Sequence, residues 1–212
     1  MAHKPENTLS SFRKAVELGA DMVELDVHLS KDNQAVVIHD SCINRMTDGE
    51  GKVNDLTLEE IKKFKVRGNE KIPSLQEVVD LVKDKCRLNI EIKDEKALEE
   101  SVRIIKKNKI EDKVVISSFI EGVVKKSKKL DPGIKTALLF VAAESYHLEL
   151  ANYLNVDYVN IHQEKIKKVI LDKARNLNLK INAWGADNKS SIRRMIKLGV
   201  DGIITNDPGL IK

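Results

Sequence analysis

The stretch DMVELDVHLSKDNQAVVIHD, residues 21–40, decides how this chain is built. Residues 22–27 form a short apolar run broken by Glu24 and Asp26, whose two-residue spacing is that of one face of a strand. Residues 35–39, Ala-Val-Val-Ile-His, form a second apolar run only a few residues later. Parallel neighbours need a crossover of about a dozen residues or more, so the short Lys31–Gln34 link forces these two into an antiparallel hairpin.

Outward from that hairpin the pattern becomes regular. Strand-like runs fall at 88–93, 114–119, 135–139, 157–161, 180–184 and 202–205. Helical patterns fall at 8–18, 74–85, 95–107, 120–130, 145–154, 163–177 and 189–198, with Gly19 and Gly199 where helices end. Alternation of this kind means βαβ units and a parallel sheet. With the 35–39 arm set aside, seven main strands and a leading helix remain. An eight-stranded (β/α)8 barrel of the TIM type typically takes about 250 residues. The expected fold is therefore α/β: a TIM (β/α)8-type barrel, incomplete for want of its first strand, with a small hairpin insertion after strand 2. No linker or low-complexity run divides the chain, so residues 1–212 are read as a single domain. An open doubly wound sheet is the competing architecture, but the Gly-rich loop it would need after its first strand is absent.

Composition narrows the function. Lys and Arg number 37 against 33 Asp and Glu, a net charge of +4, and aromatics make up only 4%. Basic runs such as Lys125-Lys126 and Lys128-Lys129 read as solvated helix faces, so nucleic acid is not the expected partner. Cys42 and Cys86 match no metal spacing, and no signal-peptide or membrane-spanning run is evident, so a cytoplasmic location is expected. Oligomeric state is not readable.

In barrels of this type chemistry gathers at the C-terminal ends of strands. Glu24 and Asp26 share one face of their strand, where two carboxylates repel unless a cation sits between them; the alternative is that one faces solvent or pairs with a lysine. Glu91 and Lys93 repeat the spacing in an otherwise apolar strand, a costly placement unless paired or used. Glu91 would complete a three-carboxylate site, while Lys93 either binds a phosphate or forms a structural ion pair. His39, followed by Asp40, suits a general acid or base, though a histidine there also suits a structural role. Trp184, the only tryptophan, either walls a pocket or packs in the core.

Several stretches carry a resemblance. They are Pro5-Glu6-Asn7-Thr8, Gly19 through Asp32, Val36 through Asp40, Arg45-Met46-Thr47-Asp48-Gly49, Leu56 through Glu60, Ile72-Pro73-Ser74-Leu75, Asn89 through Lys93, Asn182-Ala183-Trp184 and Gly199 through Pro208. Together they resemble the glycerophosphodiester phosphodiesterases, whose fold is a phospholipase-C-like TIM barrel. The resemblance implies metal-dependent hydrolysis of glycerophosphodiesters, such as glycerophosphocholine, to sn-glycerol 3-phosphate and an alcohol. It implies that Glu24, Asp26 and Glu91 hold a divalent ion, Mg²⁺ or Ca²⁺, and that His39 is one of two catalytic histidines. Lys93 would contact phosphate, Trp184 would wall the glycerol site, and Glu6 is a further substrate-side candidate. His28 is read as pointing outward and is left out.

The family's first catalytic histidine stands in a His-Arg-Gly motif ending strand 1, shortly before Pro-Glu-Asn-Thr. Here neither motif nor strand precedes Pro5, and His3 reads as a loop residue. The expectation is a chain that begins inside the family's barrel and turns over slowly. The alternative is a non-catalytic barrel that binds metal and phosphodiester. A Schiff-base aldolase using Lys93 is weaker, because neighbouring carboxylates would keep the lysine protonated.

Overall fold

The computed structural model describes residues 2–211. Its strands are β1 (Met22–Leu29), β2 (Ala35–Val37), β3 (Arg87–Ile92), β4 (Val114–Ser118), β5 (Lys135–Phe140), β6 (Tyr158–His162), β7 (Lys180–Trp184) and β8 (Gly202–Ile204). They form one eight-stranded sheet in the order β2-β1-β3-β4-β5-β6-β7-β8. β1 and β2 pair antiparallel, Val27 opposite Val37 and Leu29 opposite Ala35, as the short link requires. Every other pairing is parallel.

The helices are α1 (Leu9–Glu17), α2 (Leu58–Lys63), α3 (Leu75–Val82), α4 (Ala97–Asn108), α5 (Glu121–Leu130), α6 (Ser145–Tyr153), α7 (Lys168–Asn176) and α8 (Lys189–Leu198). Side-chain caps start many of them. Thr8, Thr57, Ser74 and Asn188 each accept from the backbone N–H three residues on, and the residue there reaches back. Gly199 ends α8 with φ +74°, a left-handed cap that glycine adopts without strain. None of the described helices is long and apolar enough to cross a membrane.

Two details depart from the sequence reading. The pattern at 163–177 is not one helix. Residues 163–165 make a single 3₁₀ turn, Ile166 and Lys167 are extended, and α7 starts at Lys168. Ile166 is buried, and the extended backbone lets its side chain reach the core instead of continuing a helical face. α2, six residues long, was not anticipated, although Thr57 and Glu60 form its capping box.

The parity of β1 divides the interior into two parts. Val23, Leu25 and Val27 face outward into a core with Phe12 of α1 and Leu75, Val78, Val79 and Val82 of α3. Glu24 and Asp26 face the lumen, where a cavity of about 930 Å³ runs the length of the barrel. Its lining extends from Asp21, Arg87, Lys180 and Asp201, at the N-terminal ends of strands, to His39, Lys93 and Trp184 at the other mouth. Lumens of closed barrels of this type are filled by layers of side chains. This one is open along a seam. Among the described residues, β8 pairs only with β7, and β1 from Met22 to Leu25 pairs only with β3.

The seam has a measurable consequence. β8 is three residues long, half-exposed and bonded along one edge, whereas β4 is buried and bonded along both. Local opening costs least where buried contacts are few. Amide exchange followed by mass spectrometry is expected to label 202–204 well before 114–118. Equal protection of the two strands would mean that the seam is closed in solution.

Candidate active site

Parallel pairing of β1 with β3 sets Asp26 directly beside Glu91 and Glu24 beside Asn89. The two strands thus bring three carboxylates to one wall of the lumen, with ligand oxygens of Glu24, Asp26 and Glu91 all within 4.8 Å of one another. Lys93, two residues beyond Glu91, reaches back between them: its Nζ lies 3.0 Å from Asp26 Oδ1 and 2.5 Å from Glu91 Oε1. Both alternatives for Lys93 therefore start from the same fact, that it is ion-paired inside the site.

The electrostatics follow from burial and crowding. Burial, then the charges of Asp26 and Glu91, push the Glu24 carboxyl well above the usual range. Burial also raises Glu91, with Lys93 opposing. Burial works against the Lys93 ammonium, but Asp26 and Glu91 outweigh it and hold its pKa above the ordinary lysine value. Once all are ionised, three carboxylates against one ammonium leave two negative charges, the charge of one divalent cation. Hard divalent ions take such oxygens at about 2.0–2.6 Å, so a group spanning 4.8 Å fits one with little movement. The residues present fit the implied metal.

Asn7 was not singled out from sequence, yet it holds Asp26 in place. It is buried, with φ +53°, a left-handed conformation that asparagine tolerates better than most residues. Its Nδ2 donates to Asp26 Oδ2 at 2.8 Å, and its Oδ1 accepts from the Asp26 backbone N–H at 3.3 Å. The next residue, Thr8, is the N-cap of α1, so the helix start fixes where the Asn7 amide points.

His39 follows β2 at the cavity mouth, half-exposed, with Nδ1 2.6 Å from Asp40 Oδ1. Glu6 lies on the same rim and pairs with the Arg45 guanidinium. Trp184, ending β7, lines the opposite wall. Its ring stands edge-on to Phe119 at 6.5 Å and to His162 at 4.5 Å, and its indole N–H is buried without a protein partner. His3 also borders this cavity, on no strand, with Nε2 3.2 Å from Asp207 Oδ1.

His28 does not point outward as read from sequence. Residues 24, 26 and 28 share one parity of β1, and the His28 Nε2–H donates to the His39 carbonyl at 3.1 Å. Burial there pushes its pKa down. It braces the backbone under His39.

Carboxylates, an ammonium and a half-exposed imidazole gathered at the C-terminal mouth of a (β/α)8-type barrel stand where enzymes of this architecture place their active sites. The glycerophosphoryl diester phosphodiesterase family model matches residues 1–210, and the chain belongs to that family. It is 42% identical over 222 aligned positions to a glycerophosphodiester phosphodiesterase of Caldanaerobacter subterraneus, covering 96% of this chain and 89% of that one. The crystal structure of a glycerophosphodiester phosphodiesterase from Thermotoga maritima superposes with a TM-score of 0.85 at 30% identity, covering 99% of this chain and 92% of that one. A phosphodiesterase of Oleispira antarctica, solved in complex with the product sn-glycerol-3-phosphate, gives a TM-score of 0.94 at 27% identity, covering 99% and 91%.

Proposed function

We propose that this protein, read as one catalytic domain over 1–212, hydrolyses glycerophosphodiesters to sn-glycerol 3-phosphate and an alcohol. The observation that carries the reading is the carboxylate group Glu24, Asp26 and Glu91 with Lys93 set among it, below a histidine at the same mouth. The sn-glycerol-3-phosphate held by the Oleispira antarctica relative supports the product. The three carboxylates would hold Mg²⁺ or Ca²⁺. Such an ion, when bound, acts as a Lewis acid toward the phosphoryl oxygens.

The chain's own groups do the rest. Lys93 presents a fixed ammonium, kept charged by its two carboxylate partners, to the non-bridging phosphate oxygens. His39, with Nδ1 engaged by Asp40, has Nε2 left to carry a proton to or from an oxygen of the ester. Trp184 walls the glycerol end, and Glu6 borders the rim on the His39 side. Free Cys42 and Cys86 fit a reducing, cytoplasmic setting.

Turnover is slow in this reading, because the second histidine at the cavity, His3, stands on no strand and is bound to Asp207. That same observation favours the second reading, a barrel that binds metal and phosphodiester without cleaving it. Incubation with glycerophosphocholine separates the two. With Mg²⁺ or Ca²⁺, release of sn-glycerol 3-phosphate and choline is expected, lost in EDTA and restored by excess cation. Cation-dependent binding with no glycerol 3-phosphate above a protein-free blank would leave only the second reading.

A further inference from the structure

The motif residue Arg45, so far only the partner of Glu6, joins two sides of the mouth through its guanidinium. Its Nε donates to Asp40 Oδ2 at 2.6 Å and its Nη2 to Asp40 Oδ1 at 3.1 Å, a two-point grip on one carboxylate. The same Nη2 also bonds Glu6 Oε1. Asp40 Oδ1 in turn meets His39 Nδ1 at 2.6 Å. Glu6 directly precedes Asn7, whose amide holds Asp26. One arginine therefore connects the imidazole, through Asp40, with the segment that orients a carboxylate of the proposed metal site.

We propose that Arg45 is a positioning residue that, through Asp40, fixes the Nδ1–H tautomer of His39 and leaves Nε2 facing the substrate. The inference rests on the hydrolase reading for its kinetic part alone. An ionised Asp40 can only accept, so the hydrogen of a neutral His39 must sit on Nδ1 for the contact to form. The Arg45 fork, helped by His39 and opposed by burial, keeps the Asp40 carboxyl at about 2, so it stays ionised at any working pH. A lysine would supply the charge at a single point and could not hold both Asp40 oxygens and Glu6 together. Exposed ion pairs contribute little to stability, and the Arg45 side chain is 50% exposed, so removing it should leave the fold intact. Hydrogen-bond partners of this kind orient a functional ring, and at metal-ligating histidines their loss costs about 10–100-fold in affinity or activity.

The test is ¹⁵N-histidine NMR on the full chain, at a pH where the ring is neutral, with His39 assigned by its loss in His39→Gln. In the wild type the Nδ1 signal should be of the protonated type and the Nε2 signal of the unprotonated type. In Arg45→Met the Nε2–H form should gain population. Arg45→Lys should resemble Arg45→Met, and kcat on glycerophosphocholine should fall about 10–100-fold in both with KM little changed. A wild-type His39 in the Nε2–H form overturns the proposal without any variant. So does a fall in kcat with an unaltered tautomer, or full rescue by Arg45→Lys. Failure of the wild type to release glycerol 3-phosphate would count against the hydrolase reading, while the tautomer signals would still decide the role of Arg45.

Discussion

Glu24→Gln should make the metal-free protein more stable and the enzyme far less active. Glu24 is the carboxylate whose pKa is raised most clearly, by burial first and then by Asp26 and Glu91. Lys93 pairs with those two neighbours and not with Glu24, so the amide gives up no ion pair with the lysine. Charging a group whose folded-state pKa lies above its unfolded value penalises the native state. The penalty is complete above the folded-state pKa and vanishes below the unfolded-state value, about 4.3. In EDTA at neutral pH the variant should therefore melt above the wild type, each kcal/mol of relieved repulsion raising Tm by about 2–4 °C in a chain of this size. As pH falls toward 4 the wild type recovers, and the difference should shrink to nothing. Added Mg²⁺ or Ca²⁺ should reverse the order, because ligands that bind only the native state stabilise it and the variant has lost one oxygen donor. Activity should drop roughly 10²–10³-fold, as when one preorganised charge-stabilising group is removed. Melting curves with and without EDTA, from pH 8 to 4.5, check the stability half. A variant less stable than wild type in EDTA at neutral pH would mean that Glu24 is compensated by something other than a cation.

The second large effect belongs to His39. His39→Ala should lower kcat by about 10²–10⁴-fold, the range for loss of a general acid or base. The side chain is 54% exposed at the mouth and fills no core space, so Tm should barely change. Binding of the cation, read as the Tm gain on adding it, should survive, since His39 is not among the grouped carboxylates. A variant retaining more than about a tenth of wild-type kcat would remove His39 from the proton transfer.

Much of this site was legible in residue types and spacing. Glu24, Asp26, Glu91 and Lys93 each interrupt an apolar strand, and charge in such a strand must be paired or used. Once β1 and β3 are recognised as parallel neighbours, period-two alternation sends all four into one lumen. His28 shows how that reasoning fails when parity is misassigned, since it shares the face of Glu24 and Asp26 and ends under His39. Asn7 and Arg45 carried a weaker signal. Asn7 meets Asp26 across 19 residues and Arg45 meets Glu6 across 39, and no local periodicity encodes such distances. The short helix α2 had a legible start in Thr57 and Glu60 but only six residues, too few for a helical period to stand out.

Residue order was enough to read the alternation of elements, the hairpin at 21–40, the family and the carboxylates that face inward. Those features follow from local rules, because side-chain period and link length need no knowledge of the rest of the chain. The open ring between β8 and β1 was already expected from the strand count, but only the fold shows the open lumen beneath the site. Tertiary structure also decided that Lys93 sits between Asp26 and Glu91, and that Arg45 joins Asp40 to Glu6. These depend on which distant backbones come within hydrogen-bonding distance, and burial then converts that proximity into raised or lowered pKa values.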